Sequence, residues 1–304
     1  MKKIGLIICI IIILSISIFG VFKYYQEVKA DRELFKVYFF NVGNADCTLI
    51  TNQGEAMLID GGNEADSELL IKYIKDKGIT KLKYVIATHD DQDHIAGLDK
   101  IINAMEVDTI YMPNTDKNSN DVNNLIKAVN DQNKEIKVPE MNTIYHLGDS
   151  VWQVKWVGDA TKDGVTSNQS SIVIEMEHGS KKYLFMGDYE PLKEENPQYK
   201  EIAWNSIDVL KVAHHGSATN LIKGFFEKTN PDYAIISAGE HSKWNFPAEE
   251  VMNALQEVER QTPMEILVTR YEKKTIILIS DGNDIRIVFC QSICNDKKVL
   301  AKNS

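Results

Sequence analysis

A short run of histidines and aspartates, His89 to His94, is the part of the sequence best suited to chemistry. It reads His-Asp-Asp-Gln-Asp-His and directly follows Leu82–Thr88, an apolar segment typical of a buried strand. Imidazole nitrogens and carboxylate oxygens are the usual ligands of a hydrolytic divalent metal, and alternate residues on a short turn can converge on one point. A solvated acidic turn is the alternative, but two of only seven histidines in the chain flank this turn. We therefore predict a metal site here.

Two other apolar segments also end in an aspartate. Asp60 follows Ala56–Ile59 and precedes two glycines, and Asp188 ends the run that begins at Tyr183. A carboxylate beside glycines, where the backbone can approach closely, suits a residue that orients a metal ligand from behind. Asp188 can bridge two metals. Each could instead be an ordinary strand-ending turn, and their joint occurrence with the histidine cluster is what favours a site.

A pair of adjacent histidines, His214 and His215, follows the apolar run Ile207–Ala213 and precedes Gly216 and Ser217. Adjacent residues at a strand end point in different directions, so we expect at most one of the two imidazoles to bind the metal. The alternative is a helix N-cap at Ser217 with two surface histidines.

The rest of the chain has an ordinary globular composition, with 43% apolar and 26% charged residues. The net charge is −10, and because the first thirty residues carry four lysines and one glutamate, the remainder carries −13. An acidic body repels polyanions, so binding of nucleic acid has to depend on bound metal or on local patches. The candidate patches are Lys181-Lys182 and Lys223 with Lys228.

The N-terminus predicts a membrane anchor. Nineteen uncharged, mostly apolar residues, 4–22, follow Lys2 and Lys3. As a helix they span about 28 Å, close to the thickness of a hydrocarbon core. We expect a single-pass protein held in the cell membrane through residues 4–22, with its C-terminal domain extracellular. Cleavage after Ala30, which would make the protein secreted, is the second interpretation. No protein partner is identifiable from the sequence.

From Leu34 onward no linker or repeat divides the chain. Strand-like runs are 34–42, 47–51, 56–60, 82–88, 109–113, 171–177, 182–187, 207–213, 233–237, 265–270, 275–280 and 284–289. Helix-like stretches are 67–77, 122–129 and 248–258. Runs of strands with interspersed helices favour two packed sheets with helices outside, an α/β (α+β) αβ/βα sandwich. We predict an anchor and linker at 1–33, one domain at 34–292 and a polar tail at 293–304.

Six segments carry a resemblance to a known family: Phe39–Asp46, Leu58–Gly62, Thr88–His94, Asn168–Ser171, Phe185–Asp188 and Leu210–Ser217. Together they resemble the metallo-β-lactamase superfamily, and specifically the extracellular hydrolase-like domain of ComEC-type competence proteins, over roughly residues 34–289. Asp91, where most members have histidine, and the His-His-Gly-Ser run point to the ComEC branch. The resemblance implies a four-layer metallo-β-lactamase sandwich with up to two metals at one edge, here preceded by one N-terminal transmembrane helix.

The resemblance also implies roles for individual residues. One metal would be faced by His89, Asp91 and Asp188, and the other by Asp93, His94, Asp188 and His214. Asp60 and Asn168 would support these ligands, and Asn168 lies near where many members supply another histidine. Asp93, Asp188 and His215 would act in catalysis, and His215, Ser171 and Ser217 would contact substrate oxygens.

Such an oxygen-rich ligand set favours Mn²⁺ or Mg²⁺, with Zn²⁺ as an alternative, and one or two ions are expected. The sequence departs from the family at Trp244-Asn245-Phe246-Pro247, where many ComEC-type domains have Tyr-Gly-His-Pro. The histidine is absent there, although His241 is close in sequence. In addition, a single apolar segment cannot form the channel of the ComEC proteins.

These features predict a hydrolase that uses a metal-bound hydroxide. The resemblance favours an extracellular phosphodiester, including nucleic acid such as DNA, as the substrate. One alternative is hydrolysis of another ester or a lactone. The other is a metal-stabilised, non-catalytic extracellular binding module or accessory subunit of a membrane complex, which the missing histidine near Phe246 favours.

Overall fold

The computed structural model describes residues 15, 17–23, 26, 29–240, 244–272 and 274–291. Within these residues no helix is both long enough and apolar enough to cross a membrane. Most of the predicted anchor at 4–22, the polar tail at 293–304 and His241 lie outside the described residues.

Strands make up most of the regular structure between Phe35 and Gln291. In chain order they are β1 (Phe35–Phe39), β2 (Thr48–Asn52), β3 (Glu55–Ile59), β4 (Lys81–Ile86), β5 (Glu106–Tyr111), β6 (Ile136–Lys137), β7 (Ile144–Leu147), β8 (Ser150–Trp156), β9 (Val173–His178), β10 (Lys181–Phe185), β11 (Val209–Lys211), β12 (Tyr233–Ile236), β13 (Glu265–Val268), β14 (Lys274–Ser280) and β15 (Ile285–Gln291). They form two mixed sheets, one ordered β15-β14-β1-β2-β3-β4-β5-β6 and the other β13-β12-β11-β10-β9-β8-β7.

Helices cover the outer face of each sheet. They are α1 (Ser67–Asp76), α2 (Gln92–Ile95), α3 (Leu98–Ala104), α4 (Asn120–Asp131), α5 (Phe225–Thr229), α6 (Glu249–Glu259) and α7 (Thr269–Glu272). The apolar faces of α1, α3 and α4 pack on the first sheet, and those of α5 and α6 pack on the second.

Strand β1 shows how the sequence builds these layers. Side chains alternate between the two faces of a strand. Phe35, Val37 and Phe39 accordingly enter the core between the sheets, whereas Tyr38 packs in the core under the helices. The result is four structural layers, helices, sheet, sheet and helices, with an apolar core between each neighbouring pair. The predicted two-sheet αβ/βα architecture is therefore confirmed.

The strand order brings four strand ends to one edge of the sandwich. Strands β3 and β4 are parallel, with Ile59 opposite Ile86, and β10 and β11 are parallel, with Phe185 opposite Lys211. The two sheets are tied together at this edge, because the Ile172 N–H donates to the Thr88 carbonyl at 2.8 Å. The residues that follow these four strands therefore meet.

Candidate metal centre

Asp188 lies at the middle of the converging side chains. It is almost completely buried, and its Oδ1 atom is 3.2 Å from Nε2 of His94. Its Oδ2 atom is 3.6, 3.7 and 3.9 Å from the Nε2 atoms of His214, His215 and His89. One carboxylate therefore faces four imidazoles, so Asp188 could contribute to more than one metal site.

Asp60 holds His94 from the side away from Asp188. Its Oδ2 atom is 2.8 Å from Nδ1 of His94 and accepts a hydrogen bond from the hydroxyl of Thr88 at 2.8 Å. Its Oδ1 atom accepts from the backbone N–H of Thr88, also at 2.8 Å. Since the carboxylate holds Nδ1 of the ring, Nε2 is directed into the site. This is the orienting position predicted for Asp60.

Asp91 is only partly buried, as is Asp93. Its Oδ2 atom is 3.5 Å from Nε2 of His89, and its Oδ1 atom is 2.5 Å from the ammonium of Lys117. Lys117 also binds the buried carboxylate of Asp90, which accepts further hydrogen bonds from the hydroxyls of Thr115 and Ser167. One carboxylate oxygen of Asp91 thus faces the site, and the other is paired with Lys117.

Both adjacent histidines face Asp188, an arrangement that an extended strand end does not allow. The expectation that at most one of them binds a metal stays a prediction. The predicted strand 207–213 ends early, at Lys211, and residues 213–216 form a tight turn. His214 and His215 have φ values of 50° and 54° within it, so the alternation of an extended strand does not apply.

The two histidines differ in their surroundings. Nδ1 of His215, which is 1% exposed, is 3.0 Å from the Ser237 carbonyl, and its Nε2 is 3.3 Å from Oδ2 of Asp93. His214 is less buried, and its Nδ1 is 2.7 Å from Oδ1 of Asn220. His215, rather than the predicted His214, therefore groups with Asp93 and His94, with one ligand atom of each within 4.8 Å of the others.

The remaining predicted residues lie at different depths. Asn168 approaches His214, with its amide nitrogen 3.4 Å from Nδ1. Ser217 lines the cavity beside the site, and its hydroxyl accepts from the Thr219 N–H as the cap of a short turn. Ser171 does not fit its predicted contact with substrate, because it is completely buried where the chain enters β9 behind Thr88.

The charges of the buried groups are strongly interdependent. Burial opposes ionisation of Asp188, but His94, His215 and His89 outweigh it and hold the pKa of the carboxyl well below its ordinary value. Burial opposes protonation of His94, but Asp188 and Asp60 raise the pKa of the imidazole well above its ordinary value. Burial likewise opposes protonation of His215, whose pKa Asp188 and Asp46 raise. The site therefore attracts positive charge.

Unpartnered polar atoms test whether these residues suit a metal. Twelve buried side-chain polar atoms of the described residues have no hydrogen-bond partner, and four of them converge here: Nε2 of His89, His94 and His215 and Oδ1 of Asp188. Buried polar atoms are normally satisfied, so several orphaned acceptors in one place need an explanation. A divalent cation supplies one, and the nitrogen and oxygen donors fit Mn²⁺, Zn²⁺ or a related ion.

An open cavity of about 700 Å³ gives access to these atoms. Its lining includes five candidate site residues, Asp91, Asp93, Asp188, His214 and His215. The other lining residues are uncharged: Asn44, Asn63, Gln92, Ser217, Thr219, Trp244 and Phe246. The Phe246 ring lies 5.4 and 6.0 Å from the rings of His214 and His215. The position where many ComEC-type domains have histidine thus lies at the site, but a phenyl ring offers neither a metal ligand nor a proton.

Several residues at this edge were not singled out from the sequence. Lys117 follows no strand and lies in an unremarkable polar stretch, so no local signal marks it. Asp46 and Lys211 belong to segments that carry the family resemblance, yet only the structure shows that they form an ion pair, at 2.7 Å. Thr88, directly before the histidine cluster, was the easiest to find from its position.

Two helix-covered sheets with a histidine and aspartate cluster at one edge define a metal-binding protein of the metallohydrolase kind. The family model described as the metallo-beta-lactamase superfamily matches residues 40–241, about two thirds of the chain. The chain belongs to this superfamily.

Curated relatives agree with the predicted resemblance to ComEC-type competence proteins, which is confirmed. ComE operon protein 3 of Bacillus subtilis (strain 168) is 29% identical over 190 residues, 62% of this chain and 24% of that protein. Recombination protein 2 of Haemophilus influenzae is 28% identical over 236 residues, 75% of this chain and 27% of that protein. This chain spans about a quarter of their length.

Solved structures show the same fold at low sequence identity. The metallo-beta-lactamase fold protein YhfI from Bacillus subtilis gives a TM-score of 0.52 at 12% identity, covering 81% of this chain and 100% of that one. CmlA, a diiron β-hydroxylase from Streptomyces venezuelae, gives a TM-score of 0.52 at 11% identity, covering 85% of this chain and 54% of that one.

Proposed function

We propose that this protein is a metal-dependent phosphodiesterase that acts on an extracellular substrate such as DNA. The observation that carries this proposal is the convergence of four orphaned buried donor atoms, from His89, His94, His215 and Asp188, beside an open cavity. A bound divalent ion would supply a water of lowered pKa and a Lewis acid for an ester oxygen.

The ligands divide into two groups that share Asp188. His89, Asp91 and Asp188 are assigned to one ion. Asp93, His94, His215 and Asp188 are assigned to the other, and His215 replaces the predicted His214. The likeness to ComEC-type proteins and the oxygen-rich donor set support Mn²⁺ as the first ion to test.

His214 is then available to the substrate. The amide nitrogen of Asn220 donates to the carbonyls of Asp188 and Tyr189, at 2.8 and 2.6 Å, which turns its Oδ1 toward His214. This oxygen, at 2.7 Å, is closer to Nδ1 of His214 than the amide nitrogen of Asn168, at 3.4 Å, so we place the hydrogen on Nδ1. Nε2 then faces the cavity side of Asp188. His214 is placed to exchange a proton at Nε2 with a leaving oxygen.

The charges around the cavity favour a short contact with the substrate. Lys181 and Lys182, one of the two predicted basic patches, form ion pairs with Asp208 and Glu177 at 2.8 and 3.1 Å. They therefore add little to a groove for a long polyanion. Lys117, beside Asp91, is the cation nearest the proposed ligands among those described above, so the bound ions would meet most of the phosphate charge.

The test uses the purified full chain with Mn²⁺ and three substrates: bis-p-nitrophenyl phosphate, single-stranded DNA and duplex DNA. We expect metal-dependent hydrolysis of the first two, lost on chelation. Asp93→Ala should abolish turnover, whereas Asp131→Ala, in an exposed pair with Lys127, should leave it unchanged. Hydrolysis that survives Asp93→Ala would assign the activity to another site or to a contaminant.

A non-catalytic binding module is the second candidate, and Phe246 favours it. Its phenyl ring lies next to His214 and His215, at the position where many ComEC-type domains have histidine. Stoichiometric metal binding without hydrolysis of any of the three substrates is the result this candidate predicts. Hydrolysis of a lactone or another ester in the same assay would instead change the substrate class.

We further propose that residues 4–22 anchor the protein in the cell membrane, with the catalytic domain outside. The apolar length and the preceding lysines support this orientation. Protease added to intact cells should digest the domain while the membrane fraction retains the N-terminus. Recovery of the whole protein in the medium would support cleavage after Ala30.

A further inference from the structure

Asp46 and Lys211 form a buried ion pair that the proposed chemistry does not use. They are 4% and 3% exposed, and the ammonium lies 2.7 Å from Oδ2 of Asp46. Asp46 precedes β2 in the first sheet, and Lys211 ends β11 in the second. The pair therefore joins the two sheets at the edge that carries the metal centre.

A contribution to folding stability does not by itself explain why this ion pair is buried. Taking two charges out of water costs about as much as their attraction returns, and well-packed apolar residues often serve as well. What such a pair does provide is a fixed geometry. Its effect should therefore be sought in the groups that it positions.

The main chain of Asp46 holds two parts of the site. Its N–H donates to the Asp93 carbonyl at 3.1 Å, and its carbonyl accepts from the Gly62 N–H at 2.8 Å. The first contact fixes the turn that carries Asp93 and His94, and the second fixes the turn after Asp60. One residue thus connects both turns of the first sheet.

The side chain of Asp46 reaches toward His215. Lys211 holds Oδ2, and the other oxygen, Oδ1, lies 3.8 Å from Nδ1 of His215 without a hydrogen-bond partner among the described residues. The ammonium of Lys211 also donates to the Val212 carbonyl at 3.1 Å, on the segment that leads into the two histidines. Lys211 therefore holds both the carboxylate of Asp46 and the backbone that leads into His215.

These contacts define the tautomer of His215. The Ser237 carbonyl, 3.0 Å from Nδ1, can only accept, so Nδ1 carries the hydrogen. In the neutral ring, Nε2 then has the free lone pair, and it lies 3.3 Å from Oδ2 of Asp93. A metal-binding histidine normally donates its other N–H to a carbonyl or carboxylate in this way.

We propose that the Asp46–Lys211 pair is a positioning device that aims Nε2 of His215 at one of the two metal sites. The inference rests on the proposed metal centre but not on its activity. It predicts that the pair controls the ion held by Asp93, His94 and His215 and leaves the ion held by His89 and Asp91 largely unaffected.

The test is calorimetric titration of the metal-free full chain with Mn²⁺. Asp46→Asn and Lys211→Met should each weaken one of two sites by about 10- to 100-fold, the usual effect of losing a residue that orients a ligand. The second site should stay within about threefold. Lys211→Arg, which keeps the charge, should lose less than Lys211→Met.

Two further variants separate positioning from folding. Lys36→Met breaks another ion pair, between the buried Lys36 of β1 and the partly exposed Asp31, in a strand three places from β4 in the sheet. This variant should lower the unfolding temperature without changing the metal-binding isotherm. The double variant Asp46→Asn with Lys211→Met removes both charges, so it should fold and still show the weakened site.

Three results would overturn the proposal. A double variant with wild-type metal affinity would leave the pair a structural role only. An additional Mn²⁺ bound by Lys211→Met would show that Asp46 is itself a ligand, since it can group with Asp60 and His94. A wild-type chain that binds no metal would overturn the metal centre as well, which distinguishes the two failures.

Discussion

Nδ1 of His94 lies 2.8 Å from Oδ2 of Asp60, and this contact decides which nitrogen of the ring faces Asp188. The same carboxylate takes both donors of Thr88, so it is held in place by the end of β4. The sheet itself thus sets the orientation of a metal ligand.

Replacing Asp60 with asparagine should therefore weaken metal binding without removing a ligand. The amide cannot accept from Thr88 and His94 at both positions, so the ring loses its fixed orientation. We expect Mn²⁺ affinity to fall about 10- to 100-fold in calorimetry. Asp66→Asn, a nearby carboxyl that contacts Asn63, is the control and should bind as the wild type. Unchanged affinity in Asp60→Asn would contradict the orienting role.

Gly187, which precedes Asp188, should not tolerate a side chain. Its φ is +51°, and an added Cβ would lie 2.8 Å from Cβ of Thr88. Gly187→Ala should cost about 1–2 kcal/mol for the left-handed backbone and about 1–3 kcal/mol for crowding. Gly164, with φ +75° and open space around it, supplies the control, since Gly164→Ala carries only the backbone cost. Chemical denaturation measures the loss of unfolding free energy in both variants, and equal losses would refute the crowding predicted at Gly187.

Stability of the metal-free chain should fall as the pH rises above about 6.5. His94 and His215 have pKa values raised above the ordinary 6.5, so the stability they contribute is complete below that value and lost as pH rises through the raised pKa. Asp93 and Asp188, with lowered pKa values, contribute above 3.8 and lose it only in acid.

The unfolding temperature in a chelator should accordingly be higher near pH 5.5 than near pH 8.5. Mn²⁺ should restore stability at the higher pH, because the cation replaces the protons between the carboxylates. His94→Gln should flatten the metal-free profile. A metal-free chain that becomes steadily more stable from pH 5.5 to 8.5 would contradict this electrostatic account.

Lys117 should act on the ion beside Asp91. Its ammonium binds the oxygen of Asp91 that is not directed at His89, and a positive charge so near opposes a cation. Lys117→Met should raise the metal affinity of that site by about 3- to 10-fold. It should also raise KM for bis-p-nitrophenyl phosphate, because the substrate phosphate loses a nearby positive charge. Lys127→Met, on an exposed face of α4, should change neither. Looser metal binding in Lys117→Met would mean that the lysine mainly holds Asp91 in place.

The sequence predicted the strands that are apolar throughout and the residues at their ends. Asp60, His89 and Asp188 each follow such a strand, and parallel pairing brings these ends together whatever the loops do. Strand β8 was missed, although Trp152, Val154 and Trp156 alternate with half-exposed residues as a strand with one buried face should.

Contacts that depend on tertiary structure were beyond the sequence. The left-handed turn at His214 and His215 has no glycine until Gly216, so nothing local indicated that both rings would face Asp188. Lys117 reaches Asp91 from a loop 26 residues away in sequence. Lys211 and Asp46 are 165 residues apart, and only the stacking of the two sheets brings them together.

Hydrolysis of bis-p-nitrophenyl phosphate during stepwise addition of Mn²⁺ to the metal-free full chain tests the central claim most directly. The account predicts no turnover without metal, a rise in rate as the sites near Asp188 fill, and no turnover at any metal level in Asp93→Ala. A wild-type chain that stays inactive with both sites filled, or one that is equally active without metal, would contradict it.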